Sequence, residues 1–593
     1  MSGRIKKMGD KGFWDADGNW VEKSLVEGTL SEQQGNGSKS QNPGAQEPSR
    51  EAANGAGGTI VEGTAAVAGL RPETMKVING AKPLVKDTEE TKRLKENYQF
   101  FGPATAAYAL FYAFCMYKNG SGITFPFFVA SSLLYIYYSM KKLELTLKSG
   151  SAFYMVSVML LAVATFCMDD ARIIALNKTG IFLLLISFLI TQFCDVSKWG
   201  LGKFAATIPS VILTSLEELA RPVADMAGFT KKNQSEGTRR MIYVLLGLLL
   251  TIPLFLIVAA LLSSADALFR QITDAVLGFI NFGNVFGVFF RVVFWYFATY
   301  MLMARLCKKS IREEVKDHRH GEPILAITVT SMLSLMYLVF SGIQIFGLFL
   351  GRLQLPDGYT YATYAREGFF QLLAVSILNL VIVLFCMAFF RESKLLKAVL
   401  TVMSLCTFIM IASSAMRMIL YISTYDLTFL RILVLWALAV LFLLFLGVVI
   451  QIFKKDFPLF RYGMVVVTIF YIGLAFSHPD YLVAKYNLEY SIKQPVDEKY
   501  LSELSADAAP VILPYLKEQG YDISLILGDS VGKHVGGETN RKKDAYWLRE
   551  RDQKTADGKW WHRYLDKLQQ EYQEQSIRSF NLSRYRAVRE ASK

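Results

Sequence analysis

The sequence predicts an all-α polytopic membrane protein of about eleven transmembrane helices with a small, partly helical C-terminal extramembrane domain. Three observations predict it. First, of 593 residues, 52% are apolar before the 42 glycines are counted, above the soluble norm of about 45–50% with glycine included. Second, the apolar residues gather in runs near the length of about 20 residues that a spanning helix needs. Third, the Lys and Arg behind the formal net charge of +13 collect in alternate loops, as orientation across a membrane requires. Charged residues make up only 19%, which argues against a disordered chain and against a nucleic-acid binder with basic charge spread over its surface. Six cysteines, none after Cys406, exclude a disulfide-stapled scaffold.

Residues 1–97 have no long apolar run, and their Gly/Ser/Gln/Asn-rich tract from Glu32 to Gly58 is too polar to offset ordering entropy. This stretch reads as a disordered cytoplasmic tail and lacks the pattern of a signal peptide. Asp15, Asp17 and Asn19 imitate part of a calcium loop, but Gly18 falls between the ligands and no Glu stands at the twelfth position. Residues 98–476 hold the spans: Phe100 to Tyr117, Ile123 to Met140, Ala152 to Met168, Leu176 to Phe193, Met241 to Leu262, Asn284 to Leu306, Ile324 to Leu350, Phe369 to Phe390, Leu395 to Met416, Phe429 to Phe453 and Phe457 to Phe476. The fourth and the last are the weakest; the last needs Arg461 to snorkel to the interface.

Lys82, Lys86, Lys92, Arg93 and Lys95 precede the first span. The same side then carries Lys141, Lys142 and Lys148; Lys198, Lys203, Arg221, Lys231, Lys232, Arg239 and Arg240; Arg305, Lys308, Lys309, Arg312, Lys316 and Arg319; Arg391, Lys394 and Lys397; and Lys454, Lys455 and Arg461. The intervening loops hold only Lys118, Arg172, Lys178, Arg270, Arg352, Arg366 and Arg417. The alternation puts the N-terminus in the cytoplasm and residues 477–593 outside it. Two shorter amphipathic segments accompany the spans. Phe204 to Met226 sets Ile208, Ile212, Leu216, Leu219 and Val223 on one face, as a helix lying in the inner interface does; Leu268, Phe269, Ile272, Val276 and Phe279 repeat the pattern on the outer side. In the tail, Asp497 to Leu504, Asp507 to Glu518 and Trp560 to Gln575 read as helices.

Ionisable groups at membrane depth are costly and become functional candidates on that ground. They concentrate at the outer end: Asp169, Asp170 and Arg172; Asp266, Arg270 and Asp274; Arg366 and Glu367; Arg417 and Asp426; His478 and Asp480; and Arg291, about 10 Å inside the sixth span. The candidate polar cluster is Asp266, Arg291, Arg366, Glu367, Arg417 and Asp426, with Gln344, Gln371 and Asn379 able to line the same vestibule. The competing explanation is ordinary helix capping. Metal and nucleotide motifs do not appear: His318 and His320 lack further ligands, and no cofactor is expected. Cys115 and Cys167 both fall near outer helix ends, as a pair or as small buried thiols. Asn581-Leu-Ser583 fits a glycosylation sequon, relevant only in a eukaryotic secretory pathway. The first outer loop, Lys118 to Gly122, is too short for the acidic loop expected of a polytopic lipid-linked glycosyltransferase.

Leu262-Ser-Ser-Ala-Asp266, Tyr364-Ala-Arg366-Glu367-Gly-Phe-Phe-Gln371, Ser414-Ala-Met-Arg417 and Tyr425-Asp-Leu-Thr428 run in order along the spans. His478-Pro-Asp480, Tyr486-Asn487, Asp497 to Leu501, Leu504-Ser-Ala-Asp507-Ala-Ala-Pro510 and Asn581-Leu-Ser-Arg584 follow them. Together these strings resemble a family of bacterial multi-pass membrane proteins known as a domain of unknown function. The resemblance covers roughly Phe100 to Arg584 and implies a bacterial cell membrane but no reaction. Where that family more often has Asn-Pro-Asp, this chain has His478-Pro-Asp480. The lipid bilayer is the one partner the composition requires; no nucleic acid is expected. Three function classes stay open: a transporter or channel for a solute, with Pro253 as helix breaker; a sensor or envelope scaffold using the outer C-terminal domain; and an enzyme on lipid or cell-wall precursors using Asp266, Glu367 or Asp426 as base.

Overall fold

The computed structural model describes residues 12–14, 20–22, 88–196, 199–233, scattered positions between 244 and 269, 282–309, 311, 319–346, 368–490, 496–521, 523, 558–573 and 575–591. Two units make up the chain, Met1–Val85 and Lys86–Lys593. The described residues of the first are β1 (Gly12–Trp14) and β2 (Trp20–Glu22), an antiparallel pair in which Trp14 faces Trp20 and Phe13 faces Val21. The rest of the expected tail up to residue 87, including the Glu32 to Gly58 tract, lies outside the described residues. Cross-strand aromatic pairs stabilise a ladder.

The helical unit begins before residue 98, the boundary read from the sequence. Helix α1 (Glu89–Glu96) is capped by Thr88, whose hydroxyl accepts from the Thr91 amide, with Glu89 and Glu90 in its first turn and Arg93 and Lys95 in its last. That is the charge order the helix dipole favours. Then follow α2 (Tyr98–Met116), α3 (Thr124–Lys142), α4 (Ser151–Cys167), α5 (Ala171–Phe193), α6 (Leu201–Ser215), α7 (Arg221–Asn233), α8 (Phe282–Cys307), α9 (Pro323–Gln344), α10 (Phe369–Phe389), α11 (Lys394–Tyr425), α12 (Phe429–Phe453) and α13 (Leu459–Phe476). Among the described residues seven helices are long and apolar enough to cross a membrane, Ala171–Phe193, Phe286–Cys307, Pro323–Gln344, Phe369–Phe389, Lys394–Tyr425, Phe429–Phe453 and Leu459–Phe476, with Ser151–Cys167 a shorter apolar one. The chain is thus an all-α polytopic membrane protein. Helices α2 and α3 occupy the first two expected spans; the span at Met241 to Leu262 and the segment Leu268 to Phe279 fall largely outside the described residues.

Helices α2 to α6 and α8 close around one apolar core, and α9 to α12 around others. The basic loops meet at one end, tied by Arg93–Glu144 at 2.7 Å and Lys309–Glu90 at 2.7 Å, and by Glu392, which receives Arg319, Lys397 and Lys455 at 2.7, 3.1 and 2.8 Å. The interfacial segment at this end is two helices, α6 and α7, broken by a 3-10 turn at Leu216–Glu218. Its leucines are turned outward, Leu213 65% and Leu216 61% exposed, while Glu218 and Asp225 are buried. Glu218 pairs with Lys308, and Asp225 accepts from Tyr300 at 3.0 Å. Such an inverted amphipathic helix suits a bilayer surface.

Beyond α13 the chain forms α14 (Pro479–Glu489), α15 (Glu498–Ser502), a 3-10 turn at Ala506–Ala508, α16 (Ala509–Glu518), α17 (Gly558–Gln573) and α18 (Leu582–Ala591). Leu501, Ile512, Leu513, Leu516, Trp561, Tyr564 and Leu565 fill its core. The helices α14 and α18 were not anticipated by periodicity, because their buried faces are largely small or polar: Pro479, Asp480, Ala484 and Asn487 on one, Ser583, Ala587 and Ala591 on the other.

Candidate functional site

At the end of the bundle opposite the basic loops, α4 stops at Cys167 and Met168 turns the chain into Asp169 and Asp170. Asp170 is the N-cap of α5, accepting the Arg172 amide at 2.9 Å and gripping the same arginine's Nε and Nη2 at 2.9 Å each. A helix start has amides without intrahelical partners, and a carboxylate there satisfies them. Nearby, α13 ends and His478 takes a left-handed backbone, φ +48°, before Pro479 opens α14. Histidine, with asparagine and aspartate, is among the non-glycine residues enriched in this conformation.

The C-terminal module closes onto these ends through carboxylates exchanged in both directions. Asp507, in the 3-10 turn, takes the amides of Asp169 and Asp170 on Oδ2 at 2.9 and 3.1 Å; the Ser583 hydroxyl donates to Oδ1 at 2.7 Å, and His478 Nδ1 shares a hydrogen bond with the same oxygen at 2.9 Å. In return Asp169 accepts Arg584 Nε at 2.6 Å, and Asp480 accepts Arg172 Nη2 at 2.5 Å and the Ser505 amide at 2.9 Å. Asn581 donates to the carbonyl oxygens of Met168 and Ser121 at 2.8 and 3.3 Å while accepting the Ser583 amide at 2.9 Å, and Ile123 donates its amide to the Phe580 carbonyl at 2.8 Å. Asn581 is fully buried, so its sequon is closed to glycosylation in the folded protein.

Burial drives the Asp507 carboxyl upward, but the hydrogen bonds from His478, the Asp169 amide and Ser583 outweigh it and hold the group below the ordinary carboxylate range. Asp480 goes the other way, raised by burial and then by the Asp170 charge. Glu571, beside Asp169 and Arg584, is pushed up to about 7 from 4.5, by burial first and the Asp169 charge second, against Arg584 and Lys567. Between about pH 4.5 and 7 the folded chain therefore holds a proton on Glu571 that the unfolded chain gives up. Its contribution to stability is complete below about pH 4.5 and lost as pH rises through about 7. Asp507, being lowered, contributes above 3.8 and loses its contribution on further acidification. Thermal unfolding of the full chain should show a midpoint that falls across the Glu571 window, and Glu571→Gln should flatten that slope. An unchanged slope in the variant would remove Glu571 from the account.

No cluster of three or more His, Cys, Asp or Glu among the described residues suits a metal ion. Amides, hydroxyls and guanidinium groups occupy the oxygens of Asp169, Asp170, Asp480 and Asp507 and so tie the module to the helix ends. Of the residues expected at the outer end, the structure brings together Asp169, Asp170, Arg172, His478 and Asp480. Four of the six candidate cluster residues, Asp266, Arg291, Arg417 and Asp426, fall among the described residues. Asp266 is exposed and accepts the Phe269 amide at 2.7 Å, capping its own turn. Arg291 lies half-buried on α8, 5.7 Å from the Tyr117 ring centre. Arg366 and Glu367 lie outside the described residues. Asp426 ends α11 with φ +67°, and its carbonyl accepts from Arg431.

Arg417 is buried on α11 and donates to Gln344 Oε1 at 3.1 Å; Ser413 donates to the same oxygen at 2.6 Å. Its guanidinium rests on Gly368, where a Cβ would stand 2.7 Å from Nη1 and φ is +123°. Below it, α11 packs against both α9 and α10, and all three bury polar residues: Thr330, Ser334, Tyr337, Ser341 and Gln344 on α9, Ser376 and Asn379 on α10, and Ser404 and Thr407 on α11. Asn379 donates to Thr407 at 3.0 Å, and several of these hydroxyls bond back to their own helix. Small polar residues let membrane helices approach closely. Gln371 is exposed rather than part of this seam. Cys115 and Cys167 are both free thiols.

Asp507, Ser505, Asn581, Ser583 and Arg584 were not among the expected site residues, although the strings Leu504 to Pro510 and Asn581 to Arg584 already carried them. The search for charges at membrane depth passed over them because they lie beyond the last span. A family described as "Domain of unknown function (DUF4153)" matches residues 155–515, more than half of the chain. Comparison with curated proteins and with solved structures finds no match. The matched stretch runs from α4 to α16 and contains every carboxylate of the exchange except Glu571.

Proposed function

This chain belongs to the DUF4153 family of unknown function, and from that premise we propose that it is a bacterial cell-membrane sensor or envelope scaffold whose C-terminal module works on the extracytoplasmic side. That it is an integral membrane protein in contact with the lipid bilayer follows from its apolar helices. The observation that carries the proposal is the buried Asp507 carboxylate, which joins two backbone amides of the bundle to Ser583 and His478 of the tail. A module bound this way moves with α4, α5 and α13, so a partner held outside is coupled to the helices that cross the bilayer. The basic loops at the opposite end support this orientation, since cytoplasmic loops carry the Lys and Arg excess.

The test is sidedness. Reporters active only outside or only inside the cell are fused after Lys455 and after Lys593. An inside signal at Lys455 with an outside signal at Lys593 is the expected result; inside signals at both would overturn the extracytoplasmic placement. The seam of α9, α10 and α11 favours a second reading, a polar solute path ending at Arg417, because the buried Asn379 Oδ1 has no protein partner among the described residues. Asn379→Ala would abolish transport on that reading and leave module docking intact.

A further inference from the structure

A groove of about 790 Å3 opens sideways at the end of the bundle where the module docks, walled by Ile432 and Trp436 of α12, Ile469 and Gly473 of α13, and roofed by α14 with Lys485 and Tyr490. Its volume lies within the range of about 300–1,000 Å3 that ligand sites occupy. The walls are apolar and open outward: Ile469 is 57% and Tyr490 64% exposed. Trp436 lies seven residues inside α12 and Ile469 seven inside α13, so the groove runs about 10 Å inward from the helix ends. A lateral apolar slot at this depth is at acyl-chain level, and Tyr486 and Tyr490 at its mouth sit where aromatic belts mark the membrane interface.

The roof supplies the polar end. The other face of α14 buries Pro479, Asp480, Val483, Ala484 and Asn487 against the module and α12, which leaves Lys485 over the groove mouth. Lys485 is half-buried, and among the described residues it has no ion pair or hydrogen bond. An ammonium at headgroup height attracts an anionic lipid phosphate. Gly473 leaves the floor open, since a Cβ there would meet nothing within 4 Å.

We propose that this groove binds one anionic phospholipid, an acyl chain lying along Ile432, Trp436, Ile469 and Gly473 and the phosphate on Lys485. The site stands apart from the sensor proposal and does not depend on which leaflet it faces.

The probe is phosphatidylglycerol with brominated acyl chains, titrated into the full-length protein in neutral detergent micelles while tryptophan fluorescence is read; brominated phosphatidylcholine is the comparison. Quenching should saturate at about fivefold lower mole fraction for phosphatidylglycerol, the effect of one lysine near an anionic headgroup. Trp436→Phe should remove the saturable component, Lys485→Glu should erase the headgroup preference, and Gly473→Phe should fill the groove and abolish saturation for both lipids. Identical, unsaturating curves for both headgroups in the unaltered chain, or curves that Gly473→Phe and Lys485→Glu leave unchanged, would overturn the site.

Discussion

Replacing Asp507 by alanine should detach the C-terminal module from the helix bundle while leaving both folded. The carboxylate satisfies the amides of Asp169 and Asp170 together with Ser583, His478 and, at 3.3 Å, the Ser505 hydroxyl. Alanine leaves these buried donors without an acceptor, and hydrogen bonds to a charged group contribute about 1.5–3 kcal/mol each. Because the neighbours relax in part, the net cost is about 3–5 kcal/mol, the range for removing one partner of a buried ionic network. That shifts the ratio of docked to released module by about two to four orders of magnitude. Hydrogen exchange of the full chain reads it directly. The amides of Asp169 and Asp170 should lose protection, while those of Ile512 and Leu513, within a core that Asp507 does not fill, should keep it. Asp507→Asn should fall between, since its amide nitrogen sets a donor against donors. Retained protection at Asp169 and Asp170 in the alanine variant would mean that other contacts hold the module.

The spans were legible because a membrane helix is a one-dimensional signal. An apolar run of sufficient length has few other fates, and α9, α10, α12 and α13 begin and end within a few residues of the expected limits, apart from the last turns before residue 350, which lie outside the described residues. The deviations have local causes. Helix α5 starts at Ala171, ahead of Leu176, because Asp170 caps it and Asn177 is taken in by Tyr471 at 2.8 Å. Helix α11 runs on to Tyr425, past Met416, because Gln344 satisfies the Arg417 that would otherwise end it. The interfacial segment kept its amphipathic character but broke at Leu216–Glu218, where Glu218 turns inward to Lys308.

The exchange of carboxylates was not legible because it is two-dimensional. Asp169 and Asp507 are separated by 338 positions, and nothing in either neighbourhood names the other. Arg172 and Asp480 were each visible as polar residues after an apolar run, which is also what an ordinary cap looks like. The useful signal was the motif content of the tail. Strings such as Leu504 to Pro510 lie beyond the last apolar helix, where neither helix amphipathicity nor intramembrane charge explains an Asp between alanines.

Gly122→Val should release the same module from the bundle side. Gly122 lies in the short turn between α2 and α3, and a Cβ built there would stand 2.4 Å from the Arg578 carbonyl oxygen, 2.5 Å from the Ser579 Cα and 2.7 Å from the Asn119 Oδ1. Two of these atoms are backbone, so no rotamer change relieves the contact; the segment 578–581 must move. With it would go the Phe580 carbonyl from Ile123 and the Asn581 amide from Met168. The cost sits at the upper end of the roughly 1–3 kcal/mol typical of overpacking. A double-mutant cycle then decides whether the tail is held as one body. If Asp507 and the 578–581 segment close a single docked state, the combined variant should be hardly more open than Asp507→Ala alone, because a module already released no longer meets the valine. Protection at Asp169 and Asp170 would report the first contact and protection at Ile123 the second. Losses that add independently, with Ile123 still protected in Asp507→Ala, would mean two separate attachments and would remove the rigid coupling on which the sensor proposal rests.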